Sequence, residues 1–107
     1  MSGGFEDRRK GQEAKWAHDE ELRFKVMARR NKLLGLWAAG ERGLSGNAAA
    51  AYAKEVVAAD FEEAGDEDVY RKVRADLPAG VSEQTIRQKM EEFLVTAGDQ
   101  IEHEAKK

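Results

Sequence analysis

The sequence predicts an all-α fold, a four-helix bundle with a flexible N-terminal arm. Three observations carry this reading. The 107-residue chain holds 17 alanines and 14 glutamates, both good helix formers, but only eleven Val, Ile and Thr residues together. Its apolar residues recur at steps of three and four, the spacing of one helix face. Glycines and the single proline divide that pattern into four stretches, preceded by a charged segment in which the pattern is sparse.

The first helix starts near Asp19, whose short acidic side chain suits an N-terminus. Leu22, Val26, Leu33 and Trp37 form its apolar stripe, widened by Phe24, Met27 and Leu34, and Gly40 and Gly43 end it as left-handed caps. The second runs from about Asn47 to Ala64, capped by Ser45 or Asn47. Its run Ala48 to Ala51 keeps one surface thin, and Tyr52, Val56, Val57 and Phe61 give its apolar face. Gly65 closes it and Asp66 is placed to cap the next. The third helix is short, about Glu67 to Asp76, with Val69, Tyr70, Val73 and Leu77 on one side before Pro78 and Gly80 break the chain. Ser82 caps the last helix, whose Ile86, Met90, Phe93, Leu94, Ala97 and Ile101 are the most regular stripe in the sequence. Gly98 weakens its later half by up to ~1 kcal/mol. Short connections make neighbouring helices roughly antiparallel.

Residues 1–17 read differently. They carry Glu6, Asp7, Arg8, Arg9, Lys10, Glu13 and Lys15, with only Phe5 and Trp16 large and apolar. Such a segment does not offset its own ordering entropy, so it is expected to be disordered or nascent-helical when free, with the bundle occupying 18–107. Written as a helix, Phe5, Arg9, Gln12 and Trp16 share one face. A partner groove can fold such an arm on contact, with Phe5 and Trp16 as anchors and Arg8, Arg9, Lys10 and Lys15 as its basic contacts.

Composition narrows the function classes. The net charge of −3 makes the chain a poor ligand for nucleic acid or an anionic membrane. With no Cys there are no disulfides, thiolate metal sites or Cys nucleophiles, which suits a reducing compartment. No apolar run reaches the ~18 residues of a membrane span, and no secretory signal opens the chain, so a cytoplasmic protein is expected. The two histidines, His18 and His103, lie far apart in sequence at charged helix ends and read as solvated. No nucleophile elbow or phosphate-cradling glycine loop occurs, no set of nucleophile, base and orienting group can be assembled, and the chain reads as a non-enzyme. The acidic cluster Asp60, Glu62, Glu63, Asp66, Glu67 and Asp68 lacks calcium-loop spacing. It reads as a helix end followed by an acidic first turn, with a docking face for a basic partner as the alternative. Arg29, Arg30 and Lys32, with Trp37 further along, form a candidate site for a nucleotide: cations for phosphate, an indole for the base. Its alternative is a core tryptophan beside solvated cations.

Five strings resemble a known family: Ala17 to Lys25 (AHDEELRFK), Ala28 to Ala38 (ARRNKLLGLWA), Tyr52 to Val57 (YAKEVV), Asp60 to Val69 (DFEEAGDEDV) and Ile86 to Met90 (IRQKM). In this order, and over nearly the whole chain, they are similar to the zeta-subunit family of alphaproteobacterial F-type ATP synthase inhibitors. The resemblance implies a four-helix bundle with a mobile arm, acting as a regulatory subunit on the catalytic head of the synthase. It further implies that the arm becomes helical at a catalytic interface beside the rotor, contacting alpha, beta and gamma subunits, and blocks ATP hydrolysis. By that carry-over the inhibitory segment is Phe5 to Trp16, with Phe5, Arg8, Arg9, Gln12, Lys15 and Trp16 as partner contacts. No cofactor is required, ADP or ATP is a possible regulatory ligand, and the protein sits at the inner membrane only through the synthase. The other reading is an adenine-nucleotide-sensing helical module with little inhibitory activity. Gly11 lies in mid-arm, where it weakens a helix by up to ~1 kcal/mol relative to Ala.

Overall fold

The computed structural model describes residues 19–59 and 66–105. They form four helices and, among the described residues, no strand: α1 (Glu20–Glu41), α2 (Gly46–Ala59), α3 (Asp66–Asp76) and α4 (Glu83–Ala105). The expected arm, residues 1–17, and the expected end of the second helix at Ala64 lie outside the described residues.

Several helix ends have a local cause. The Asp19 carboxylate accepts the Leu22 N–H at 3.0 Å, and Glu20 and Glu21 favour the positive end of the α1 dipole. At the other end the Leu44 N–H reaches the Ala39 carbonyl at 2.8 Å and the Gly43 N–H reaches that of Gly40 at 3.0 Å. This pair of bonds is a Schellman cap, and it needs the left-handed φ of +79° that Gly43 supplies. Gly40, expected as a second left-handed cap, is inside the last turn instead, because the cap has only one such position. The first turn of α2 closes on the Ser45 carbonyl, which accepts the Ala49 N–H at 3.3 Å, and Asn47 is already helical. Asp66 likewise opens α3 rather than preceding it. The Ser82 hydroxyl accepts the Thr85 N–H at 3.1 Å, the N-cap expected for α4. Arg74 fixes the intervening loop: its guanidinium donates to the carbonyls of Leu77, Pro78 and Val81.

The helices bury two clusters. The larger contains Leu34, Ala38 and Ala39 of α1, Tyr52 and Val56 of α2, Val69 and Val73 of α3, then Leu77, Ile86 and Met90. The smaller joins Val26 of α1 to Leu94, Ala97 and Ile101 of α4, so these two helices run antiparallel. Each fully buried aliphatic side chain contributes about 1.5–3 kcal/mol. Among the described residues, α1 and α3 each pack on all three other helices, and α1 makes its most extensive contacts with α2 and α4.

The buried face of α1 differs from the expected stripe. It is Val26, Arg30, Asn31, Leu34, Gly35, Ala38 and Ala39, whereas Phe24 is 55% exposed and Trp37 only half-buried. Small and polar residues occupy the inward positions because α2 comes very close. A Cβ built on Gly35 would lie 2.7 Å from the Ala53 Cα, a distance at which the backbone must shift. A Cβ at Gly40 meets nothing within 4 Å.

This contrast gives a test. Gly35→Ala should lower stability by about 1–3 kcal/mol through overpacking. Gly40→Ala should raise it by about 0.4–1 kcal/mol, since the same methyl there meets no atom and the helix gains propensity. Urea unfolding of both variants measures the difference, and equal effects would refute the close approach.

Candidate functional site

Helical geometry turns the chain by about 100° per residue, so Arg29, Arg30 and Lys32 leave α1 in three directions. Arg29 faces α4. It donates to the Gln100 side-chain oxygen at 2.7 Å and grips both carboxylate oxygens of Glu104, at 2.8 and 3.1 Å. Arg30 faces α3 and is only 1% exposed. Its Nε donates to the Asn31 Oδ1 at 2.7 Å and its Nη2 to the Asp66 Oδ1 at 2.8 Å. A buried guanidinium held by a carboxylate and a side-chain amide is a structural cross-link whose partner cannot be removed cheaply. Asn31, also buried, has its Nδ2 without a hydrogen-bond partner among the described residues. Lys32 is exposed on the α2 side, and Trp37 packs half-buried against the larger core. The structure therefore brings Arg30 and Asn31 together with Asp66 and Arg29 together with Gln100 and Glu104. It does not gather Arg29, Arg30, Lys32 and Trp37 into one surface. Phe5, Arg8, Arg9, Gln12, Lys15 and Trp16 lie outside the described residues, as does His18.

The acidic run is consumed in the same way where it is described. Asp66 holds Arg30, Glu67 holds Arg87 at 3.0 Å and Asp68 holds Arg71. These three carboxylates open α3, where the helix dipole also favours them. Asp60, Glu62 and Glu63 lie outside the described residues. Among the described residues no group of His, Asp and Glu side chains is arranged to hold a metal ion.

A further cross-link joins α2 and α3. The Tyr52 hydroxyl donates to the Asp76 carboxylate at 2.9 Å, and Lys72 bridges Asp76 at 3.0 Å and Glu55 at 2.9 Å. Arg42 and Lys72 stand 4.9 and 5.4 Å from the centre of the Tyr52 ring. Burial, then the bond to Asp76, raises the Tyr52 pKa well above 10.0. For Asp76, burial pushes upward, but the bonds from Lys72 and Tyr52 outweigh it and hold the carboxyl below 3.8. The bond to Glu55 leads the causes that raise Lys72 above 10.5, against an opposing burial contribution. Between α3 and α4, Arg87 lies 4.0 Å from the Tyr70 ring centre and pairs with both Glu67 and Glu83.

Sequence reasoning did not single out Asn31, Asp76, Lys72 or Arg87. The pairs Lys72–Asp76 and Arg87–Glu83 are four apart on one helix and were readable as local pairs. Arg30–Asp66 spans 36 positions, and no local signal announces it.

A family model described as ATPase inhibitor subunit zeta matches residues 1–100. A solved structure, a solution NMR structure, is 53% identical over 78% of this chain and 98% of its own, with a TM-score of 0.73. No curated protein matches.

The Tyr52 clasp predicts a pH dependence at both ends. A depressed carboxyl such as Asp76 stabilises the fold above its unfolded value near 3.8 and loses that as pH falls further. The raised groups Tyr52 and Lys72 contribute below about pH 10 and lose this as pH rises through their folded values. Denaturant unfolding across pH should therefore show a plateau falling on both sides. Tyr52→Phe should lower the plateau by about 1 kcal/mol and weaken the alkaline fall. An unchanged plateau would mean the hydroxyl bond contributes nothing.

Proposed function

Because the chain belongs to the ATPase inhibitor subunit zeta family, we propose that it inhibits ATP hydrolysis by an F-type ATP synthase through its N-terminal arm. The observation that carries this is the family match over residues 1–100, which takes in the arm as well as the bundle. The family supports a regulatory role on the synthase. The finer mechanism is this reading's own. Residues Phe5 to Trp16 fold into a helix at a catalytic interface beside the rotor, among alpha, beta and gamma subunits, with Phe5 and Trp16 as anchors and Arg8, Arg9, Gln12 and Lys15 as polar contacts.

The energetics suit a reversible inhibitor. Ordering a free segment on binding costs about 2–5 kcal/mol of its contact energy, which keeps release accessible. A bundle that touches the same head restores affinity by raising the local concentration of the arm. No described helix is long and apolar enough to cross a membrane. The protein is therefore proposed to reach the inner membrane's cytoplasmic face only by holding the synthase.

A second reading, an adenine-nucleotide-sensing module, draws support from Lys32, exposed and with no acidic partner among the described residues. A half-buried indole at Trp37 adds a stacking surface further along α1.

Two measurements test these readings. With purified catalytic head, deletion of residues 1–17 should leave a folded bundle that no longer inhibits hydrolysis. Gly11→Ala should strengthen inhibition by up to about fivefold, the equivalent of ~1 kcal/mol of helix propensity. A truncated chain that inhibits as well as the full one would refute the arm. Titration with ADP should move backbone amide signals near Lys32 and Trp37 saturably if nucleotide binds, and their constancy at millimolar ADP would end the second reading.

A further inference from the structure

A groove of about 380 Å³ lies between α1 and α2, lined by Lys32, Leu36, Ala50, Ala53, Lys54 and Val57. Four of these are apolar and no carboxylate is among them. Leu36 is 39% exposed, an unusual state for a large aliphatic side chain in this molecule. The two lysines stand one on each helix.

What sets this groove apart is the charge accounting. Lys32 and Lys54 make no ion pair, hydrogen bond or ring contact among the described residues. The other described cations are all engaged. Lys25, Arg29, Arg30, Arg71, Lys72, Arg87 and Lys89 hold carboxylates. Arg74 holds loop carbonyls, Arg42 covers the Tyr52 ring and Arg23 also has a partner. In a chain with a net charge of −3, acids are in excess, yet two cations without a partner among the described residues share one apolar groove. A surface that is positive at its rims and apolar at its floor matches an acidic, amphipathic occupant.

The shape favours a helix. Lys32 and Leu36 are one turn apart on α1, and Ala50, Lys54 and Val57 span two turns of α2, a footprint of about 10 Å along the helix axes. Ala50 and Ala53 keep the α2 wall of the groove thin, so another helix can lie close. The described residues offer no strand edge for an extended peptide. We infer that this groove is the bundle's docking surface for an acidic amphipathic helix on the ATPase it inhibits. The partner's identity rests on the function proposed above. The docked helix places one or two apolar side chains on Leu36, Ala53 and Val57 and flanking carboxylates on Lys32 and Lys54.

The test uses the full chain and purified catalytic head, with binding and ATP hydrolysis read on the same samples. The variants are Lys32→Glu/Lys54→Glu, the charge-retaining Lys32→Arg/Lys54→Arg, and Lys25→Glu/Lys89→Glu as an equal charge change elsewhere, each confirmed folded by circular dichroism. The first should bind about tenfold more weakly or worse, with its inhibition at saturation retained because the arm is intact. The second and third should bind within about twofold of the unmodified chain. Unchanged binding by the charge-reversed pair would overturn the inference. So would an equal loss in the third variant, which would assign the effect to overall charge. Self-association lost only in the first variant, with head binding intact, would give the groove to a second copy and also overturn it. Failure of the unmodified chain to bind the head would do the same. Binding without inhibition would sink the inhibitory reading alone and leave the groove result standing.

Discussion

At Gly35 the backbones of α1 and α2 approach until a single methyl group would overlap the main chain opposite. Much else follows from that approach. It requires small residues on the inward face of α1, and Ala38 and Ala39 continue the pattern toward the cap. It gives close dispersion contact between backbones but little apolar mass, because alanines and glycines bury few methylenes. Of the larger side chains in that cluster α1 supplies Leu34, and the others come from α2, α3 and α4, through Tyr52, Val69, Val73, Ile86 and Met90.

A core built on small residues is supplemented by polar cross-links between helices. Arg29 ties α1 to α4, Arg30 ties α1 to α3, Tyr52 ties α2 to α3 and Arg87 ties α3 to α4. They differ in weight. Exposed pairs such as Arg87 with Glu83 contribute at most about 1 kcal/mol. The Arg30 pair matters differently, since its guanidinium is out of water and Asp66 is the carboxylate that holds it. Such groups fix which helix lies against which, a choice that alanine faces leave open.

Helix number, order and most ends were legible in the sequence because caps and breakers act locally. Asp19, Gly43 and Ser82 do what their residue types suggest. The inward face of α1 was not legible. A hydrophobicity pattern ranks Phe24 and Trp37 above Arg30, Asn31 and Gly35, but the close α2 backbone and the distant Asp66 decide the matter. For the candidate site, residue types were read correctly as cations able to hold anions. Their destinations were not, because Arg29 and Arg30 meet protein carboxylates 75 and 36 positions away. Of the three cations, Lys32 alone has no partner among the described residues, and Lys54 across the groove was not legible as its companion.

The two clusters of the core are not equally braced. The larger draws on all four helices, whereas the smaller is a two-helix seam of Val26, Leu94, Ala97 and Ile101. Residue 19 enters the molecule at that seam. Local opening therefore has fewer helices to separate there, with Arg29 on Gln100 and Glu104 as a brace across the seam. This end of the bundle is accordingly expected to exchange its backbone amide hydrogens with water sooner than the four-helix half.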